Sequence, residues 1–144
     1  MQTLEPHLKF HYKFTVLESH LDTFGHMNHA TYLQIFEQAR WEFITERGYG
    51  LKEIAKYQIG PTILEAKIRY MRELRLREEV TIESVCPPFT GKVGVVHQTM
   101  FNSDGKEAAT IELSIGLFDM QKRKLISPTP EWLHAIGSAL SNRE

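Results

Sequence analysis

The chain has 144 residues, of which 42% are hydrophobic and 24% charged, and its formal net charge is -1. This size and balance predict one globular domain over residues 1–144, with a hydrophobic core. A charge near zero argues against a nucleic acid or an anionic membrane held by bulk electrostatics, while a local basic site for a phosphate stays open. The expected partner is therefore a small molecule.

Cysteine usage and the first residues bear on the compartment. Cys86 is the single cysteine, so it cannot form an intrachain disulfide, which suits a reducing compartment. Beside Pro87-Pro88 it is better explained as a packed structural thiol than as a nucleophile. The stretch 1–6 has no basic region followed by an apolar run, and no segment reaches transmembrane length. We expect a cytoplasmic protein without membrane insertion.

The first predicted element is a half-buried strand within residues 8–18. Apolar and polar residues alternate there with a period of two, and the apolar set is rich in aromatic residues. Its members are Phe10, Tyr12, Phe14 and Val16.

The next segment gathers chemically active residues immediately before a helix. It reads His20-Leu-Asp-Thr-Phe-Gly-His-Met-Asn-His29 and contains the carboxylate of Asp22, three histidines and Asn28, a plausible helix N-cap. Unpaired N–H groups and the dipole at a helix start favour developing negative charge. Such a segment can cleave an ester-like bond, because a carboxylate can activate water or attack the carbonyl while the helix start stabilises the oxyanion.

Two plainer explanations of this segment stay open at this point. Asp22 could form only an Asx turn or cap, which is a common use of aspartate before a helix. The histidines could bind a metal with Asp22, but their spacing is not that of His-Glu-x-x-His and no third ligand is obvious downstream, so we expect no metal. His26 is expected to hydrogen-bond the loop and line the pocket, or to be purely structural.

The helix after this segment is predicted to run about five turns and to end at Gly48. Tyr32 and Phe36 are core positions first and candidates for lining a substrate tunnel second. Arg40 falls within the apolar arc and needs a partner, for which Glu37 one turn back is the nearest candidate. The full apolar face comprises Tyr32, Leu33, Phe36, Ala39, Phe43 and Ile44.

The remainder of the chain predicts four more strands and a short C-terminal helix over about 130–140, capped at Thr129 with Trp132, Leu133 and Ile136 inward. A turn of helix at 51–57 is also plausible. A hairpin signal, Ser103-Asp-Gly-Lys106, separates the last two strands. The predicted strands are 64–70, 79–86, 92–102 and 107–119.

This order of elements predicts an α+β fold with a five-stranded antiparallel sheet wrapped around one long helix. A single helix leaves one face and at least one edge of such a sheet uncovered. We therefore expect a homodimer with a continuous ten-stranded sheet.

Four motifs in the chain match a pattern found in a known family. They are His20-Leu-Asp-x-x-x-His-x-Asn-x-Ala-x-Tyr-Leu33, Glu37-x-Ala-Arg-Trp41, Glu65-Ala-x-Ile-Arg-Tyr70 and Gly91-Lys-x-Gly94. Through them the chain resembles the hotdog-fold acyl-CoA thioesterases of the 4-hydroxybenzoyl-CoA thioesterase-like superfamily, and most of all their bacterial long-chain members. The likeness covers about residues 10–119.

The resemblance implies a hotdog fold, a dimer as the minimal active unit and an acyl chain lying at the subunit interface. It implies that Asp22 is the catalytic carboxylate and that the backbone N–H around His29 is its oxyanion partner. His26 and Asn28 are expected beside them. No separate cofactor is implied, because CoA is part of the substrate.

The chain departs from the family pattern in two places. The second strand usually continues Tyr-x-Arg-Pro, whereas this chain has Tyr70-Met-Arg-Glu73, so its exit carries more negative charge. Some relatives hold the CoA phosphates with a basic cluster before strand four, where Thr90-Gly-Lys92 offers one cation. Arg72, Gly91 and Lys92 are the candidate contacts for the phosphates.

The expected function is hydrolysis of acyl-CoA to a free acid and CoA, as part of lipid metabolism. The alternatives are a thioesterase acting on acyl carrier protein, a hydratase or dehydratase of the same fold, and a non-catalytic acyl-CoA-binding protein. Self-association is expected to give a homodimer, with a homotetramer as a dimer of dimers left open.

Overall fold

The computed structural model describes residues 8–141, so the expectation about residues 1–6 lies outside the described part of the chain. The predicted order of strand, long helix and further strands is confirmed. The elements are β1 Lys9–Thr15, α1 His29–Glu46, α2 Leu51–Tyr57, β2 Ile59–Tyr70, β3 Glu79–Val85, β4 Val93–Phe101, β5 Glu107–Asp119, β6 Lys124–Ile126 and α3 Pro130–Ala135.

The sheet is antiparallel and has six strands, in the order β1-β3-β4-β5-β2, with β6 paired to β5 off this path. The prediction of an α+β fold with an antiparallel sheet is correct. The prediction of five strands is wrong, because β6 has three residues, too few to give a readable alternation. It pairs with the end of β5 after a turn in which Arg123 has a φ of 56°.

Helix α1 begins and ends where the sequence predicts. The Asn28 side chain accepts a hydrogen bond from the N–H of Ala30. At the other end Gly48, with a φ of 98°, donates to the carbonyl of Thr45 while Tyr49 donates to that of Ile44, which is a Schellman motif. The 18 residues make about five turns.

The core lies between α1 and the inner face of the sheet. Helix α1 packs chiefly on β1, β3 and α3, that is, on one side of the sheet. Its apolar face is buried as predicted except at Leu33, which is 43% exposed. The inner face of β5 is fully buried, as predicted, at Ala109, Ile111, Leu113, Ile115 and Leu117.

Arg40 is a buried residue of α1, and its partner is not the one predicted. Its guanidinium donates to the side-chain oxygen of Gln98 on β4 at 2.9 Å, and the Gln98 amide in turn donates to Ser84 and to the Phe36 carbonyl. Glu37, the predicted partner, is exposed and makes no ion pair with Arg40. Burial lowers the pKa of Arg40 to about 10.

Helix α3 closes one end of the core. Thr129 caps it and Trp132 and Ile136 are buried, as predicted, while Leu133 is half-buried. The helix stops at Ala135, short of the predicted 140, because Gly137 turns the chain with a φ of 65°.

Strand β2 forms one edge of the sheet and is largely uncovered. It begins at Ile59, five residues before the predicted start, and every residue from 63 to 67 is exposed. Pro61 is compatible with an edge strand, because proline has no N–H to donate to a neighbouring strand and is therefore rare in central strands. Ile63 and Leu64 are 43% and 49% exposed. Among residues 8–141, no helix is both long and apolar enough to cross a membrane.

Candidate active site

Residues 20–28 form a small hairpin that leads directly into α1. Asn28 donates to the carbonyl of His20, and Leu21 and Met27 form an antiparallel bridge. At the tip, Gly25 donates to the carbonyl of Asp22 and takes a φ of 82°. Aspartate at the start of such a turn and glycine at its left-handed position are the residues that this geometry favours. The local sequence therefore fixes the loop that carries Asp22.

The Asp22 carboxylate is half-buried and held by backbone donors. Its Oδ1 accepts hydrogen bonds from the N–H of Phe24 at 2.9 Å and of His26 at 3.2 Å. Oδ2 accepts none from the residues that the structure describes. The Asx turn considered as the plainer explanation of Asp22 is thus present, and it leaves one oxygen of the carboxylate available.

The start of α1 offers an unpaired donor. The Asn28 side chain takes the N–H of Ala30 at 2.8 Å, and the Asn28 carbonyl takes that of Thr31 at 2.9 Å. For the N–H of His29, residues 8–141 supply no acceptor. An N–H left free at the positive end of a helix is suited to bind a developing oxyanion.

The three histidines of the segment occupy different surroundings. His20 accepts the N–H of Leu17 through Nδ1 and packs on Phe14, so it is a structural residue. The ring of His26 lies beside the loop between β2 and β3, with Nε2 2.6 Å from Oε2 of Glu73. The side chain of His29 is exposed.

No three His, Cys, Asp or Glu side chains within the described range lie close enough together to hold a metal ion. The expectation of a metal-free site stays a prediction.

Two tyrosines join the helix start to the exit of β2. Tyr32 and Tyr70 meet edge to face with ring centroids 5.0 Å apart. The Tyr70 hydroxyl donates to the carbonyl of His29 at 2.9 Å, and that of Tyr32 donates weakly to the carbonyl of Arg72 at 3.4 Å. Burial raises the pKa of Tyr32 to about 12, and the charge of Asp22 adds a small part of the rise.

Sequence reasoning did not single out Tyr70 and Glu73 as neighbours of this segment. Tyr70 belongs to a recognised motif and Glu73 is a departure from one, and these are the signals that could have found them. The contacts themselves span 41 and 47 residues of sequence, beyond the reach of local patterns.

The predicted substrate-binding residues do not come together within one chain. Phe36 is fully buried in the core. Arg72 follows β2 and donates to the carbonyl of Glu107, beside a cleft of about 820 Å³. Gly91 and Lys92 are exposed at the opposite end of the sheet, before the first residue of β4.

The antiparallel sheet around a long helix is the architecture of a hotdog scaffold. A family model described as the thioesterase-like superfamily matches residues 16–136, and the chain belongs to this superfamily. The predicted family, the hotdog thioesterases, and the predicted enzyme class are confirmed at this level.

Known proteins similar to the chain include an enzyme, the long-chain acyl-CoA thioesterase FadM of Escherichia coli (strain K12). The chain is 27% identical to FadM over 109 residues, which cover 75% of this chain and 82% of FadM.

Solved structures share the fold. The protein SAV2348 of Staphylococcus aureus, solved in complex with CoA, superimposes with a TM-score of 0.84 at 23% identity, over 94% of this chain and 85% of the other. YbaW, a probable thioesterase from Escherichia coli, does so with a TM-score of 0.78 at 24% identity, over 89% and 98%.

Proposed function

We propose that the chain hydrolyses the thioester bond of an acyl-CoA, giving a free acid and CoA. The observation that carries this proposal is the pairing of two features in one short segment. Asp22 keeps a free carboxylate oxygen on a hydrogen-bonded hairpin, and the His29 N–H stands unpaired at the helix start directly after it. Acyl-CoA as the substrate is supported by the activity of the similar FadM and by the CoA bound to SAV2348.

Asp22 acts in one of two ways in this proposal. As a general base it takes a proton from water while the water oxygen bonds to the carbonyl carbon; the C–S bond then breaks and the CoA thiolate takes up a proton. As a nucleophile its carboxylate attacks the same carbon, expels the thiolate and forms a mixed anhydride, which water hydrolyses. In both routes the His29 N–H stabilises the oxyanion, a contribution of about 3–4 kcal/mol for one such donor.

A dimer is part of the proposal, because β2 presents a long unpaired edge. Within the described residues β2 pairs with β5 on one side and with no strand on the other. Exposed apolar edges of this length are templates for pairing with another strand. Antiparallel pairing of two β2 strands would give one continuous sheet, and a further pairing of dimers is left open.

Such a dimer would also assemble the phosphate contacts. In one chain Arg72 lies just beyond Tyr70, at the end of β2. Lys92 directly precedes Val93, which stands opposite Thr62 on the other side of β5. Thr62 and Tyr70 are eight residues apart on β2, which is a distance of about 27 Å. Because antiparallel pairing reverses the second strand, it brings Gly91 and Lys92 of one copy to the Arg72 end of the other.

The test is release of free thiol from acetyl-, octanoyl-, palmitoyl- and benzoyl-CoA. We expect Asp22→Asn to lower the rate at least a hundredfold, since an amide is neither a base nor a nucleophile. Asp119→Asn is the matched control, because Asp119 also accepts two backbone N–H groups in a turn but belongs to the β5–β6 turn. Equal rates for Asp22→Asn and the native chain would refute the role of Asp22.

Acyl carrier protein thioesters, an enoyl-CoA and a binding measurement, added to this assay, separate the alternative functions. Hydrolysis of acyl carrier protein thioesters with no action on acyl-CoA would favour the carrier-protein reading, and binding of acyl-CoA without thiol release would favour a non-catalytic protein. Hydration of an enoyl-CoA without thiol release would favour a hydratase. A cytoplasmic location and a part in lipid metabolism fit the single, buried cysteine and the proposed substrate.

A further inference from the structure

The loop between β2 and β3, residues 71–78, is fastened to the hairpin that carries Asp22. Met27 donates to the carbonyl of Leu74 at 2.8 Å, and His26 and Arg75 form an antiparallel bridge. Leu74 itself is fully buried. The loop is therefore one wall of the candidate site rather than a free connection.

Glu73 makes the side-chain contact across this junction. Its Oε2 lies 2.6 Å from Nε2 of His26, and its Oε1 lies 3.6 Å from the guanidinium of Arg75. Glu73 occupies the place where the family pattern described above has proline, which has no side-chain group for such a contact. Its side chain is 50% exposed, and such pairs contribute little to global stability. Its effect is therefore expected to be local.

Together with Phe24, His26 holds Asp22 in place through its backbone. The N–H of His26 donates to Oδ1 of Asp22 at 3.2 Å, and the carbonyl of His26 accepts the N–H of Asp22 at 2.8 Å. A shift of the His26 backbone therefore disturbs one of the two bonds that orient the carboxylate, together with the backbone bond that holds Asp22 in the hairpin.

We infer that Glu73 is a positioning residue for Asp22 and acts through His26. It fixes the imidazole on the β2–β3 loop, and the backbone of His26 then fixes the carboxylate. This inference rests on the proposed role of Asp22. Catalytic groups displaced by about 1 Å can lose about a hundredfold in rate, so a partial release of the carboxylate should cost about tenfold in kcat.

The test compares Glu73→Gln with the native chain on the most rapidly cleaved acyl-CoA of the panel above. We expect kcat to fall about tenfold and KM to stay within about twofold, because Glu73 orients Asp22 and does not bind the substrate. Glu73→Asp should recover part of the rate. Glu112→Gln is the matched control, since it removes a His–Glu pair, with His97, on the outer face of the sheet. A native kcat for Glu73→Gln, or a raised KM with native kcat, would overturn the inference.

A double-mutant cycle guards against a general loss of structure. If Glu73 acts through His26, the double variant His26→Asn/Glu73→Gln should be no slower than the slower of the two single variants. If its loss of kcat is instead the product of the two single losses, the inference is overturned.

Asp22→Asn separates this inference from the proposed function. A native rate for Asp22→Asn defeats the role of Asp22, while an inactive Asp22→Asn with a fully active Glu73→Gln defeats only the inference about Glu73.

Discussion

An ionised carboxylate has about four acceptor positions, and Asp22 uses two of them, both on Oδ1, to hold its own loop. The two backbone donors fix the orientation of the group without occupying Oδ2. A loop-forming aspartate and a reactive one are therefore compatible in the same residue. Asp119 has the same pair of backbone bonds in the β5–β6 turn, which shows that the turn alone does not identify a catalytic group.

Tyr32 gives a prediction in alkaline solution. Its pKa in the folded chain is about 12, against an ordinary value of 10.0, so folding favours the neutral phenol. The contribution of this pKa difference to the free energy of unfolding is fully present below pH 10. It is lost as the pH rises from 10 to 12, because the unfolded chain loses the phenol proton first, and the loss is at most about 3 kcal/mol. In Tyr32→Phe this loss should be absent, while at pH 7 the variant should lose little because the hydroxyl makes only a 3.4 Å hydrogen bond.

Urea unfolding of the two proteins at pH 9 and pH 11 provides the measurement. Tyr49, whose pKa is also raised by burial, and Arg40 titrate alike in both proteins, so their effects cancel in the difference. The same fall in stability between pH 9 and pH 11 for both proteins would contradict the prediction.

Side-chain partners across the fold were the part of the site least accessible to sequence reasoning. Asp22 and Asn28 could be assigned to a turn and a cap because the side chain of each bonds residues two to four positions away. The partner of Arg40 is 58 residues distant and that of His26 is 47, so neighbours along the helix or loop gave no guide. Glu37 is the nearest opposite charge along α1, but the helix presents it to solvent.

At the scale of the helix, Asn28 links capping to chemistry. Asn28→Ala removes the acceptor of the Ala30 N–H and should cost about 1 kcal/mol of stability. If the first turn of α1 binds the oxyanion, fraying of that turn should also lower kcat about tenfold or more. Asn28→Ser, which keeps a cap, should recover most of both losses.

Thr129→Ala is the matched control for this experiment, since it removes the cap of α3, a hydrogen bond from Trp132 at 3.3 Å. It should lower stability by a similar amount and leave kcat unchanged. Thermal unfolding and thiol release measure the two effects. A destabilised Asn28→Ala with native kcat would separate the helix start from catalysis.

Elements were predicted well where their signals are local. The cap and the glycine stop of α1 and the Asn102–Lys106 turn all lie where the sequence places them. The sequence pattern does not show the start of β2 or the existence of β6, because Gly60 and Pro61 interrupt the first residues of β2 and β6 is three residues long. Both are held by pairing with β5, which is not visible in their own residues.

For the whole molecule, the β2 edge gives a prediction of assembly. We expect the native chain to be a dimer, and Ile63→Lys with Leu64→Lys to make it monomeric, because lysines on an edge strand oppose pairing. Hydrolysis should fall with the dimer if Lys92 of one copy serves the site of the other. Sedimentation equilibrium and thiol release measure the two effects.

The matched control is Leu51→Lys, at a leucine that is 81% exposed on α2. It should remain dimeric and active. A native chain that sediments as a monomer at full activity would exclude the proposed assembly.

The two edge strands, β1 and β2, could not be identified from the sequence. The pattern showed that one helix cannot cover the sheet, and this led correctly to an uncovered edge. The strand order depends on pairings such as that of β1 with β3, which the chain reaches only after two helices and β2.

That pairing has a consequence for the newly synthesised chain. The only strand that β1 pairs with in the described structure is β3, and its nearest partner, Glu79 opposite Thr15, follows 64 residues later. At about 5–20 residues per second, β1 waits on the order of 3–13 seconds for this partner to be translated. The backbone N–H and C=O groups of β1 lack their strand partner during that interval, so the nascent chain should engage chaperones through its first strand.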